Sequence, residues 1–144
     1  MTSTAIAEVL GGKKVLGRSI KNSAELTDLI RKGLPSGSLV VLGEKLDLKN
    51  TALSKKLGIP PRTLTRRLSR HSRLTAAESD RTVRLARVYA TAVEMIGNTC
   101  KAAEWLRTPN RALGGEVPMD QLDTDLGARE VENILGRIAY GVYS

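Results

Sequence analysis

Five consecutive residues, Leu57-Gly58-Ile59-Pro60-Pro61, constrain this chain more than any others. Glycine just past an apolar helical run supplies the left-handed residue on which helices end. A proline disfavours helical backbone at the residue before it, here Ile59. A second proline is well placed as the first residue of a new helix, where its missing N–H leaves nothing unsatisfied. The stretch therefore predicts two short helices meeting at a tight turn. The first covers Ala52 to Leu57 and is capped by Asn50 or Thr51. The second runs from Pro61 through Ser69, with Leu64 and Leu68 four apart and facing the core.

Two helices joined by a glycine turn match the helix-turn-helix motif, whose second helix lies in the major groove of DNA. That helix presents Arg62, Thr63, Thr65 and Arg66 away from its leucines. Arginine pairs bidentately with guanine, and threonine bonds to base edges or touches the thymine methyl. Lys55, Lys56, Arg67, Arg70 and Arg73 surround it, and from Lys45 to Arg73 nine basic residues face one acid, Asp47. Such density suits phosphate contacts and predicts salt-sensitive binding. It also fits a solvated basic face on a purely structural helix pair. Modules of this kind commonly read pseudo-palindromic operator DNA as homodimers.

The rest of the chain reads as helical. Aromatics are 3% of residues and phenylalanine is absent, so the core must come from Leu, Ile, Val and Ala. Residues 1–22 sustain no period and read as a flexible or loosely docked arm. Ser23 caps a helix from Ala24 to Lys32. Leu39-Val40-Val41-Leu42 fits a strand or a short helix, and its helical neighbours favour the helix. Thr75 and Glu78 form a capping box opening a long helix to Ile96. Val83, Leu85, Ala86, Val88, Ala90, Val93 and Ile96 give that helix a broad apolar face, and the helix Thr75 to Ile96 is a candidate for self-association. A shorter helix follows from Thr99 to Leu106, with Cys100 on its apolar side. Pro118 to Leu122 is a candidate start for another, and a last helix covers Ala128 to Tyr140. The expected fold is all-α: an N-terminal arm (1–22), a helix-turn-helix domain (23–97) and a small helical domain (98–144).

Charge divides the chain in the same way. Residues 1–90 hold 18 Lys and Arg against 7 Asp and Glu, and residues 91–144 hold 5 against 8. A basic front and an acidic back imply two different partners, the first a polyanion. One cysteine excludes an intrachain disulfide and fits a reducing compartment. No apolar run approaches the roughly 18 residues of a membrane span, and no signal-peptide pattern opens the chain, so a cytoplasmic protein is expected. One histidine and one cysteine do not make a metal site. His71 lies among Arg70, Ser72 and Arg73 and reads as a phosphate contact or loop residue. Asp120, Asp123, Asp125 and Glu116 lack a neighbouring base or nucleophile and read as caps, first-turn residues or an acidic surface. With no phosphate-binding glycine loop either, neither an enzyme nor a cofactor is expected.

The segment from Trp105 to Asp120 packs turn signals densely: Pro109 breaks a helix, Asn110 suits a turn, and Gly114-Gly115 allows a reversal. Alone, this describes a helical hairpin. In detail, Trp105-Leu106-Arg107-Thr108-Pro109-Asn110 through Met119-Asp120 closely resembles the toxin-binding domain of the Xre/MbcA/ParS antitoxin family. The resemblance continues through Leu122-Asp123-Thr124, Gly127-Ala128-Arg129-Glu130-Val131-Glu132 and Leu135-Gly136-Arg137-Ile138. Gly58-Ile59-Pro60, Arg62-Thr63-Leu64 and Arg66-Arg67-Leu68 are similar to the family's Xre-like half. The resemblance implies a partner, a RES-domain toxin that consumes NAD⁺ and is blocked at its active-site cleft. It also implies repression of the protein's own operon, and toxin contacts among Trp105, Asn110, Arg129, Glu132 and Arg137. The residues themselves add one observation. Tyr140, Val142 and Tyr143 make the segment ending at Ser144 apolar and aromatic. Docking in a cleft explains this, since tyrosine is a frequent hot spot, with the Ser144 carboxylate held by a basic pocket. Folding back on its own domain explains it too.

Overall fold

The computed structural model describes residues 1–139, so Tyr140, Val142, Tyr143 and Ser144 lie outside the described residues. Among the described residues, nine α-helices carry the fold: α1 (Ser3–Val9), α2 (Gly12–Leu16), α3 (Ser23–Lys32), α4 (Gly37–Leu46), α5 (Asn50–Leu57), α6 (Pro61–Ser69), α7 (Ala76–Ile96), α8 (Thr99–Arg107) and α9 (Asp125–Ala139). Two 3₁₀ turns, Arg111–Leu113 and Pro118–Gln121, link the last two. Among the described residues there is no strand, only an isolated bridge between Pro35 and Arg73. None of their helices is long and apolar enough to cross a membrane.

The long helix α7 organises the rest. Its start is the expected capping box: Thr75 Oγ1 accepts from the Glu78 N–H, and the Glu78 carboxylate accepts from the Thr75 N–H. Its end is Gly97, in the left-handed region. Between them, Leu85, Ala86, Val88, Tyr89 and Ala92 are buried beneath α1, α3, α5, α8 and α9. Each large apolar side chain buried there contributes about 1.5–3 kcal/mol. Its own chain covers most of its apolar face, while Val93, Met95 and Ile96 in its last turns are only partly buried.

The first 22 residues also differ from expectation. They form α1 and α2, and Ile6, Leu10, Leu16 and Ile20 are buried in the common core. Leu39 to Leu42 is helical, as the neighbouring helices favoured, and Leu39 and Leu42 are fully buried. The cap of α3 is Asn22 rather than Ser23. Helix α5 begins at Asn50 itself, after Lys49, which makes no side-chain cap bond. The last helix starts at Asp125, three residues before Ala128, and Pro118–Gln121 is a 3₁₀ turn. Cys100 is exposed, not part of the core, because α8 turns Ala102, Ala103 and Leu106 inward instead.

One apolar core runs from Ile6 to Leu135 through both halves of the chain. The α3–α4 corner is fastened to α7 by two buried bonds. The Leu34 N–H donates to Ser79 Oγ and the Leu74 N–H to the Leu34 carbonyl, both at 2.8 Å. Gly33 makes this close approach possible. Its φ is +97°, and a Cβ there would lie 2.1 Å from the Leu74 carbonyl oxygen.

Candidate functional site

Helices α5 and α6 meet as the glycine-proline turn predicts. Gly58 is left-handed, and the Ile59 N–H closes the turn on the Ser54 carbonyl at 2.9 Å. Pro61 opens α6. Leu53, Leu57, Ile59 and Leu64 point inward, and Leu68 packs partly buried against them. With these positions fixed, helical spacing turns Arg62, Thr65, Arg66 and Arg70 to solvent. They line a shallow open groove together with Pro61 and Ser69. Ser69 escaped the sequence reading, although its spacing from Arg62 and Arg66 places it on the same stripe. Lys55 is exposed and lines a separate hollow with Lys56, Met119, Asp120 and Asp123, and Thr63 is half-buried.

The other expected DNA-contacting residues have intramolecular partners. Arg67 is half-buried and pairs with Glu78 at 3.2 Å, tying α6 to the start of α7. Burial alone would raise the Glu78 pKa. The Thr75 N–H and the Arg67 guanidinium outweigh it and hold the carboxyl below the ordinary glutamate range. Arg73 donates to the Gly33 carbonyl at 2.6 Å. Lys56 forms an ion pair with Asp120, reaching from α5 to the second 3₁₀ turn. His71, just after α6, is in the left-handed region and serves as a loop residue.

The C-terminal half is built around Asn110, which is buried. Its side chain accepts from the Ala112 N–H at 2.9 Å, and its own N–H donates to the Glu116 carbonyl at 2.9 Å. Its carbonyl accepts from Leu113 and Gly115. Asn110, expected among toxin contacts, is therefore the residue on which the turn is folded, with its side chain directed into its own loop. Trp105 is half-buried and lines an apolar groove between Ile96 and Ile138. Glu132, another expected contact, holds α9 to α7 through a 2.9 Å pair with Arg87. Arg129 is exposed and paired with Asp125 one turn earlier at 2.9 Å, and Arg137 is exposed. Arg84 of α7 donates to the Leu122 and Asp123 carbonyls at 3.2 and 3.3 Å, fixing the loop before α9.

One residue of this half drew no attention in the sequence. Leu126, at the head of α9, is 79% exposed. It lies off the stripe formed by Ala128, Val131, Leu135 and Ile138, and that mismatch was the available signal. The exposed side of α9 continues from it through Arg129, Glu130, Asn133 and Arg137.

These two surfaces coincide with two known domains. The profile of the antitoxin Xre-like helix-turn-helix domain matches residues 25–87, and that of the antitoxin Xre/MbcA/ParS C-terminal toxin-binding domain matches residues 91–141. The chain is 33% identical over 130 residues to the antitoxin Xre of Yersinia enterocolitica, covering 90% of this chain and 88% of that one. It is 34% identical over 136 residues to the antitoxin Xre of Photorhabdus laumondii, covering 91% and 89%. Identity to the antitoxin Xre of Pseudomonas putida is 38% over 117 residues, covering 81% and 72%. The chain therefore belongs to the Xre/MbcA/ParS antitoxin family, as a non-enzymatic protein joining a helix-turn-helix domain to a toxin-binding domain.

Proposed function

We propose that this protein neutralises a RES-domain, NAD⁺-consuming toxin through its C-terminal half and represses its own operon through α6. The observation that carries the reading is the pairing of a toxin-binding domain over 91–141 with an open arginine face on α6. Neutralisation works by occlusion. The exposed side of α9, headed by Leu126, docks on the toxin, and the segment Tyr140 to Ser144 enters its active-site cleft. This side of α9 lies within the toxin-binding domain profile and offers an apolar side chain, Leu126, beside charged ones at Arg129, Glu130 and Arg137. Repression follows from α6 in the major groove, with two copies reading the two halves of an operator. The protein acts in the cytoplasm, where both partners are found.

Co-expression with the reading frame beside its gene tests the reading. That frame alone should arrest growth and deplete NAD⁺, and this protein should restore both. Removing Tyr140 to Ser144 should weaken the rescue without reducing binding to a promoter fragment. A harmless neighbour, or growth that this protein does not rescue, would refute the antitoxin assignment for this gene pair.

A further inference from the structure

We infer that the groove between α1 and the C-terminal end of α7 is the surface on which a second copy of this chain docks. The inference rests on the proposal that two copies act together on DNA, and it names the face they share. The last turns of α7 are less covered than the rest. Ala90 and Val93, with Ala5 and Val9 of α1, form the apolar floor of an open groove. Met1 stands at its edge, 45% exposed, one of three large apolar side chains exposed among the described residues.

The occupant is indicated by charge. Glu8, Glu94 and Lys45 also line this groove, so it carries both signs around an apolar floor. A two-fold interface must be self-complementary, each copy supplying what the other lacks. Here Lys45 of one copy can face Glu94 of the other, while Met1 fills the opposite floor. Lys45 is already placed at the groove by a 3.0 Å bond to the Glu8 carbonyl, which uses one of its three donors. DNA would not select a surface carrying two carboxylates.

Position agrees with charge. Helix α6 is tied to the beginning of α7 through Arg67 and Glu78. Val93 lies fifteen residues further along α7, about 22 Å away at 1.5 Å per residue. A second copy seated on the groove leaves α6 open on both protomers, as a paired reading of DNA requires.

Sedimentation equilibrium of the full chain tests the inference. The wild type should be a dimer at micromolar concentrations. Lys45→Glu and Glu94→Lys should each raise the dissociation constant about tenfold or more, because each places like charges face to face twice. An equimolar mixture of these two variants should recover dimers. Ala5→Glu should abolish association, with its fold checked by circular dichroism. If Ala5→Glu does not fold, the charge-reversed mixture decides. A monomeric wild type at about 100 μM, far above the Kd of a stable dimer, would overturn the inference. So would a dimer indifferent to all three substitutions. A wild-type dimer that these substitutions disrupt as expected, yet that does not itself bind its promoter fragment, would leave this interface standing and refute the DNA reading.

Discussion

Gly127 and Gly136 sit on the same helix under opposite constraints. A Cβ on Gly127 would lie 1.9 Å from the Gln121 carbonyl oxygen, whereas one on Gly136 would meet nothing within 4 Å. Alanine is the better helix former by about 1 kcal/mol. Gly136→Ala should therefore stabilise the protein by up to about 1 kcal/mol. Gly127→Ala should destabilise it by about 1–3 kcal/mol, because backbone must move to admit the methyl. Urea denaturation of the two variants checks both signs. At this scale the sequence revealed what periodicity governs. Arg62, Thr65, Arg66 and Arg70 follow from the leucines on the other side of α6. It could not reveal partners brought together by folding. Lys56 meets Asp120 from 64 residues away, Arg73 meets Gly33 from 40, and Glu132 meets Arg87 from 45. Each looked like a free surface charge because its counterpart lies on another element.

Among the elements, α7 announced itself and α1 did not. The capping box of α7 is a four-residue signal that can be read locally, and twenty-one helical residues give a period time to emerge. Helix α1 has seven residues and α2 five, separated by glycine, too short for a period. Their stability comes from burial of Ile6, Leu10 and Leu16 by distant helices, which no local pattern encodes. The capping box also makes α7 sensitive to acid. Glu78 is held charged in the folded protein by Thr75 and Arg67, with its pKa below the ordinary glutamate range. Its contribution is complete at neutral pH, begins to fall as pH drops through the unfolded-state value, and is gone below the folded-state value. Thr75→Ala should lose about 1 kcal/mol at neutral pH. Glu78→Gln keeps the capping geometry and removes the charge. Its deficit against the wild type should shrink as pH falls through that acidic window, measured as denaturation midpoints across a pH series.

On the scale of the whole molecule, the two halves are joined by charge as well as by core. Lys56 of the helix-turn-helix is paired with Asp120 of the toxin-binding half. A promoter-fragment titration at several salt concentrations separates this lysine from the α6 arginines. Arg62→Ala with Arg66→Ala should weaken binding about a hundredfold, as expected for two lost groove contacts. Asp120→Asn should tighten it a few-fold and steepen the salt dependence by about one released ion, as Lys56 turns to phosphate. An unchanged slope would place Lys56 away from the DNA backbone. The continuous core around α7 also limits how such a protein can acquire new partners. A recombinant joining one relative's helix-turn-helix half to another's toxin-binding half would inherit α7 from one parent only. That helix would then be packed against side chains selected for a different neighbour. Under the proposed function, new pairings should therefore arise by substitution on the open faces of α6 and α9 rather than by exchange of halves, so that operator and toxin specificity descend together.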